Sequence, residues 1–216
     1  LYDENAEASP GAQDRLSWMV QLPAILEAMQ QAQVERALCI CTTLEEFDDV
    51  HALALGHDHL WATVGVHPDN EGVREPTLDD LLAGAARERV VGIGETGLDY
   101  YRLNGRSVAD MAWQRERYRT HIRAGRQTDL PLVIHTRSAS EDTLAILREE
   151  GGFDSAAPSD LPRSRGVFHC FTETEAVARA ALELDFYISF SGILTFRNAS
   201  DLREIARFVP LDRMLI

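Results

Sequence analysis

An α/β fold of the (β/α)8 TIM-type barrel class is what this sequence predicts, and three observations predict it. Seven short, near-continuously apolar and β-branched runs recur along the 216 residues, the pattern of parallel strands covered on both faces. Helical patterns alternate with them, as in a chain of βα units. The chain opens on a polar loop, "LYDENAEASPGAQ", that leads into a helix. A strand ahead of Leu1 would bring the total to eight, the number that closes a barrel.

The elements follow in order. Amphipathic patterning predicts a first helix over about 15–34, and the apolar run "ALCICT" (37–42) the first visible strand. A helix over 44–57 leads to the strand "WATVGVH" (61–67), and a helix over 77–88 to "VVGIGE" (90–95). A loop with its own Asn-Gly turn then precedes a helix over 108–127, the strand "PLVIHT" (131–136) and a helix over 140–150. The loosest segment, "GGFDSAAPSDLPRSR" (151–165), joins that helix to "GVFHCF" (166–171) and so belongs on the N-terminal rim. A helix over 173–184, the strand "FYISFSG" (186–192) and a helix over 199–208 complete the series, the last opened by Asn198 or Ser200 as a cap. "RMLI" (213–216) reads as a strand just beginning. No composition break marks a second domain, so residues 1–216 read as one barrel domain, a piece of a longer polypeptide lacking strand 1 and the end of strand 8.

Composition narrows the function classes. The chain carries 21 basic and 35 acidic residues, a net charge of -14, which works against broad electrostatic binding of nucleic acid. All the basic residues are Arg and none is Lys, which excludes a Schiff-base lysine, a phosphate-loop lysine and a carbamylated-lysine metal bridge. Cys39, Cys41 and Cys170 sit in apolar runs without zinc-ribbon spacing and read as buried free thiols of a reducing cytoplasm. No apolar run is long enough to span a membrane.

In a parallel barrel, chemistry collects at the C-terminal ends of the strands. Those positions hold His67, Glu95, His135, His169 and the "SFSG" turn around Ser191. One strand-end histidine is ordinarily structural. Three imidazoles and a carboxylate at equivalent positions suit a divalent cation, Zn²⁺ or Mn²⁺, or Mg²⁺ with added oxygen ligands.

Two motifs mislead. Gly92, Gly94 and Gly97 spell G-x-G-x-x-G, yet a loop rather than a helix follows, and Glu95 would face an anionic phosphate. The glycines read instead as the means of turning a strand tightly into its catalytic loop. "HDH" (His57–His59) precedes a strand and therefore lies on the rim opposite the site. His51 and His121 fall within helices and read as surface residues.

The blocks "VGVHPDN", "VGIGETGLDYY", "LPLVIHTRSASEDTLAIL", "GVFHCFTET" and "DFYISFSGILTFRNASDLREIARFVPLDRMLI" resemble, in order, those of the TatD family of metal-dependent deoxyribonucleases, over roughly residues 37–216. The resemblance implies a (β/α)8 barrel, similar to the amidohydrolases, that hydrolyses DNA phosphodiesters with two divalent metal ions, Mg²⁺ foremost. It implies Glu95, shared between the ions, together with His135 and His169 as metal ligands, and His67 near the substrate phosphate. The family's H-x-H pair would precede Leu1 and its final aspartate would follow Ile216. Arg137 and Arg197 are candidates to grip a phosphate, and Tyr100 and Tyr101 either stack on a base or pack in the fold. A small, metal-focused pocket lets an acidic, monomeric protein act on DNA ends as an exonuclease. Two other readings stay open: an amidohydrolase acting on a small cyclic amide or ester, and a metal-binding barrel without catalysis.

Overall fold

The computed structural model describes residues 12–154 and 160–216. Residues 1–11 of the opening loop and 155–159 of the segment joining the fifth helix to the next strand lie outside them. The chain divides into two compact units, Leu1–Ala37 and Leu38–Ile216. The first contains helix α1 (Ala12–Gln31). It stops because Gln33 takes a left-handed conformation (φ 58°), which turns the Val34 N–H back onto the Met29 carbonyl at 2.8 Å and satisfies an end-of-helix acceptor.

Among the described residues the sheet is built from seven strands in the order of the chain: β1 (Ala37–Cys39), β2 (Leu60–Val64), β3 (Val90–Asp99), β4 (Leu132–Arg137), β5 (Gly166–Phe168), β6 (Tyr187–Ser189) and β7 (Met214–Leu215). From β2 to β7 each neighbour pairs in parallel. Helices α2 (Phe47–Gly56), α3 (Leu78–Ala85), α4 (Ala112–Thr128), α5 (Ser140–Glu150), α6 (Glu175–Glu183) and α7 (Ser200–Phe208) occupy the connections, the βα alternation of a (β/α) barrel. Thr77 caps α3 by a reciprocal box with Asp80. Asp129 and Asp185 end α4 and α6 in the left-handed region, where a short polar side chain is tolerated.

Each of the seven apolar runs forms a strand, but most ladders are shorter than the runs and β3 is longer. Beyond Cys39 the ladder ends and the bonds of the first run go elsewhere: the Cys41 N–H donates to Thr63 Oγ1 at 3.0 Å and the Cys41 carbonyl accepts from Glu95 N–H at 2.8 Å. β3 continues through all three glycines to Asp99. The glycines therefore do not turn the strand into a loop; they let it lie flush against its neighbours. A side chain on Gly94 would meet the Val133 carbonyl at 2.8 Å, and one on Gly97, whose φ is +126°, would meet the His135 carbonyl at 1.9 Å. The core between sheet and helices is apolar and continuous, with Ile93, Leu98, Tyr118, Ile134, Phe168 and Phe186 among its buried members.

Candidate active site

The long β3 places two carboxylates on one side of β4. Glu95 sits mid-strand and Asp99 is its last residue. Gly97, between them, pairs in register with His135 of β4. With no side chain at Gly97, the His135 imidazole fits between the two acids: Nδ1 lies 3.4 Å from Glu95 Oε1 and Nε2 lies 2.9 Å from Asp99 Oδ2. His67, three residues beyond β2, brings Nε2 to 3.8 Å from the same Glu95 oxygen, and its ring centroid lies 4.5 Å from that of His135. Among the described residues, His67, Glu95 and His135 form a group whose ligand atoms all lie within 4.8 Å of one another.

Proton positions divide the labour between the imidazoles. The Asp69 N–H donates to His67 Nδ1 at 3.1 Å, so in neutral His67 the proton sits on Nε2, facing Glu95. Burial, then the neighbouring His135, pushes His67 down to about 4 and keeps it neutral. His135 is the reverse case. Burial opposes its charge, but the hydrogen bonds to Asp99 and Glu95 raise it to about 9. The Asp99 carboxylate fixes the Nε2 proton, leaving Nδ1 as the nitrogen that turns to Glu95. Asp99 is itself held down to about 2: burial would raise it, but His135, Arg137 and the Tyr101 N–H outweigh that. Glu95, despite burial, is lowered by His135 and His67 and stays ionised.

An ionised carboxylate beside an imidazole whose far nitrogen is anchored by a second carboxylate is the donor arrangement that suits a divalent cation. Glu95 and the His135 Nδ1 position fit that role. The proton on Nδ1 is the one a cation displaces.

His169 follows β5 directly, its N–H bonded to the Ile134 carbonyl at 2.8 Å. It is not in the close three-residue group. Arg137, the end of β4, spends part of its guanidinium on Asp99, with Nε at 2.9 Å and Nη2 at 2.8 Å. Its carbon lies 4.5 Å from the centroid of the Tyr101 ring, which is 64% exposed. Arg197 is exposed, beside the short 3₁₀ turn Gly192–Thr195. Tyr100 is not a stacking surface: its ring is buried, and its hydroxyl donates to Asp142 at 2.7 Å.

Two further readings are corrected. His51 and His121 are buried, not surface residues, because each imidazole satisfies a backbone group: the Glu88 carbonyl for His51 at 2.8 Å, and the Val66 N–H for His121 at 3.0 Å. Asp99 is the site residue that sequence reasoning missed. The local signal, an acid four positions after Glu95, is readable only once the strand is known to run on to position 99.

The family model described as TatD related DNase matches residues 14–216. This chain belongs to the TatD family. A TatD relative from Escherichia coli strain K12, YcfH, described as an uncharacterized metal-dependent hydrolase, is 44% identical over 193 residues, covering 89% of this chain and 67% of its own length. The Salmonella typhimurium strain LT2 protein described as the 3'-5' ssDNA/RNA exonuclease TatD is 29% identical over 187 residues, covering 86% of this chain and 67% of its own length. The crystal structure of YjjV, a TatD homologue from E. coli K12, superposes with a TM-score of 0.78 at 27% identity, over 91% of this chain and 71% of that one. The TatD fold is thus the (β/α) barrel that the alternating strands and helices anticipate, and the TatD chain is a metal-dependent hydrolase.

Proposed function

We propose that this hydrolase cleaves phosphodiester bonds of DNA from a free end, using two divalent cations, Mg²⁺ in function. The observation that carries the reading is the pairing of the buried Glu95 with the partly buried His135, with His135 Nε2 locked by Asp99 and His67 alongside. In this reading Glu95, His135 and His169 hold metal. The cations supply Lewis acidity toward the phosphoryl oxygen and the attacking water.

The chain's own groups do the rest. The neutral His67, its Nε2 proton directed into the site, donates to a phosphate oxygen. The edge of Arg137 not taken by Asp99 offers a charged donor for a second phosphate contact, and Arg197 offers another from its exposed turn. The Tyr101 ring, backed by Arg137, provides a face on which a base stacks. The net charge of -14 directs DNA to this local cluster rather than to a long basic groove, in keeping with action on strand ends by a monomer. The Salmonella relative's description as an exonuclease supports the same reading, and three free thiols suit a reducing cytoplasm.

The test is hydrolysis, with Mg²⁺ supplied, of short single strands with a free end against closed circular DNA. The single strand is the expected substrate, and chelation by EDTA removes the activity. Preference for the circle would overturn the end-directed reading. Hydrolysis unchanged in Glu95→Ala would place the activity elsewhere.

A further inference from the structure

Helix α4 carries an unusual face. Gln114, Arg117 and His121, spaced i, i+3 and i+7, share one side of the helix and are only 1%, 4% and 0% exposed. A helix packed on a sheet normally buries apolar side chains, and α4 does so too with Tyr118 and Ile122. The three polar residues reach past these to backbone groups at the ends of β2 and β3.

Gln114 Oε1 accepts the Asp99 N–H at 3.0 Å. His121 Nε2 accepts the Val66 N–H at 3.0 Å, while its Nδ1–H donates to the Arg117 carbonyl at 2.8 Å. Arg117 Nη1 donates to the carbonyls of His67 at 2.8 Å and Asn70 at 2.9 Å, and the rest of its guanidinium grips Glu75. Val66 lies beyond the β2 ladder and Asp99 ends β3, so these buried amides need partners from outside the sheet. Each partner chosen belongs to one helix face, and each backbone group belongs to a segment bearing a site residue or its anchor.

We propose that α4 is the positioning element of the reaction: Gln114 orients His135 by fixing Asp99, while Arg117 and His121 together fix His67. The three are positioning residues, since none faces the ligand group itself. The inference rests on the metal-hydrolase reading above, and it predicts that the two halves of the stripe fail differently. Loss of the Gln114 acceptor weakens metal binding. Loss of the His121 acceptor weakens substrate binding and leaves the metal in place.

The experiment measures Mn²⁺ binding by calorimetric titration, kcat and KM on a short single-stranded DNA, and thermal unfolding. The variants are Gln114→Leu, His121→Leu, His121→Gln, a packing control Ile122→Val on the same helix, and Glu95→Ala. Gln114→Leu is expected to weaken Mn²⁺ binding by about tenfold or more, the effect typical of losing support behind a ligand. His121→Leu is expected to raise KM by about tenfold, in line with one misplaced hydrogen bond, with Mn²⁺ binding unchanged. His121→Gln, which keeps an acceptor in reach of Val66, restores KM toward the parent value. Ile122→Val lowers thermal stability without moving either quantity.

If Mn²⁺ affinity and KM follow thermal stability across all variants, the control included, α4 is structural and the proposal is wrong. It is equally overturned if Gln114→Leu binds Mn²⁺ as the parent does while Glu95→Ala does not. If Glu95→Ala itself leaves Mn²⁺ binding intact, the metal-site reading fails instead.

Discussion

Asp99 and His135 meet at 2.9 Å across β3 and β4, and the Asp99 side chain has no exposed surface. A buried carboxylate is tolerated only where donors surround it. Here the donors are His135, both reachable nitrogens of Arg137 and the Tyr101 N–H. Asp99→Asn keeps the shape and removes the charge that fixes the His135 proton. Mn²⁺ affinity is expected to fall by about 10–100-fold. A titration showing parent-like affinity would remove Asp99 from the site.

His121 sets an acid limit on stability. Burial, against a smaller opposing contribution from the Arg117 carbonyl, lowers it to about 4 from 6.5. The unfolded chain therefore takes up a proton below pH 6.5 that the folded protein refuses. Its stabilising contribution is complete above that pH and drains away as pH falls toward 4, by about 3 kcal/mol in all. In the metal-free protein His67, lowered to about 4, acts in the same sense. His135, raised to about 9, acts in the opposite one, stabilising below pH 6.5 and ceasing to do so as pH rises through 9. Denaturant titrations between pH 7 and 4.5 should show a shallower acid slope for His121→Gln than for the parent.

Tyr118 is fully buried on α4, and among the described residues its hydroxyl has no hydrogen-bond partner. An unsatisfied buried hydroxyl costs stability that a phenylalanine avoids. Tyr118→Phe is expected to be neutral or to gain about 1 kcal/mol, read as a higher midpoint in urea. A loss beyond that magnitude would mean the hydroxyl is satisfied.

Gly97 admits no side chain. The Cβ of an alanine would stand 1.9 Å from the His135 carbonyl, at a φ of +126°. Clash and backbone strain together are expected to cost more than about 3 kcal/mol and to separate β3 from β4. Thermal unfolding of Gly97→Ala measures this, and a midpoint within a few degrees of the parent would contradict the close packing of these strands.

The barrel, and the three residues that cluster in the candidate site, were legible because their signals are local. Apolar runs mark the strands, and His67 and His135 stand at or near strand ends, where parallel folds expose side chains; Glu95 closes an apolar run but lies mid-strand. What was hidden depends on partners far along the chain. "WQRERYRTHI" looks like a helix with a wet face, since nothing local says that Gln114, Arg117 and His121 find backbone groups to bond. Asp99 was obscured in the same way, because the apolar run "VVGIGE" (90–95) gives no hint that the strand continues to position 99. The tight glycine packing that prolongs it is a property of β2 and β4 as much as of β3.

The ten residues of β3 also constrain how this protein can vary. Glu95 and Asp99 reach the same imidazole because an even number of positions separates them, and Gly97 leaves the gap that the ring fills. Removing or adding one residue between them would carry one acid to the opposite face of the sheet. Away from Gly94, Glu95, Gly97 and Asp99, substitutions can be sampled singly along this strand, but a change of length there abolishes the grip on His135 at a stroke. Insertions belong instead after Asp99, around the turn at Asn104 and Gly105, where the chain can grow and alter what enters the mouth while the acids stay in step.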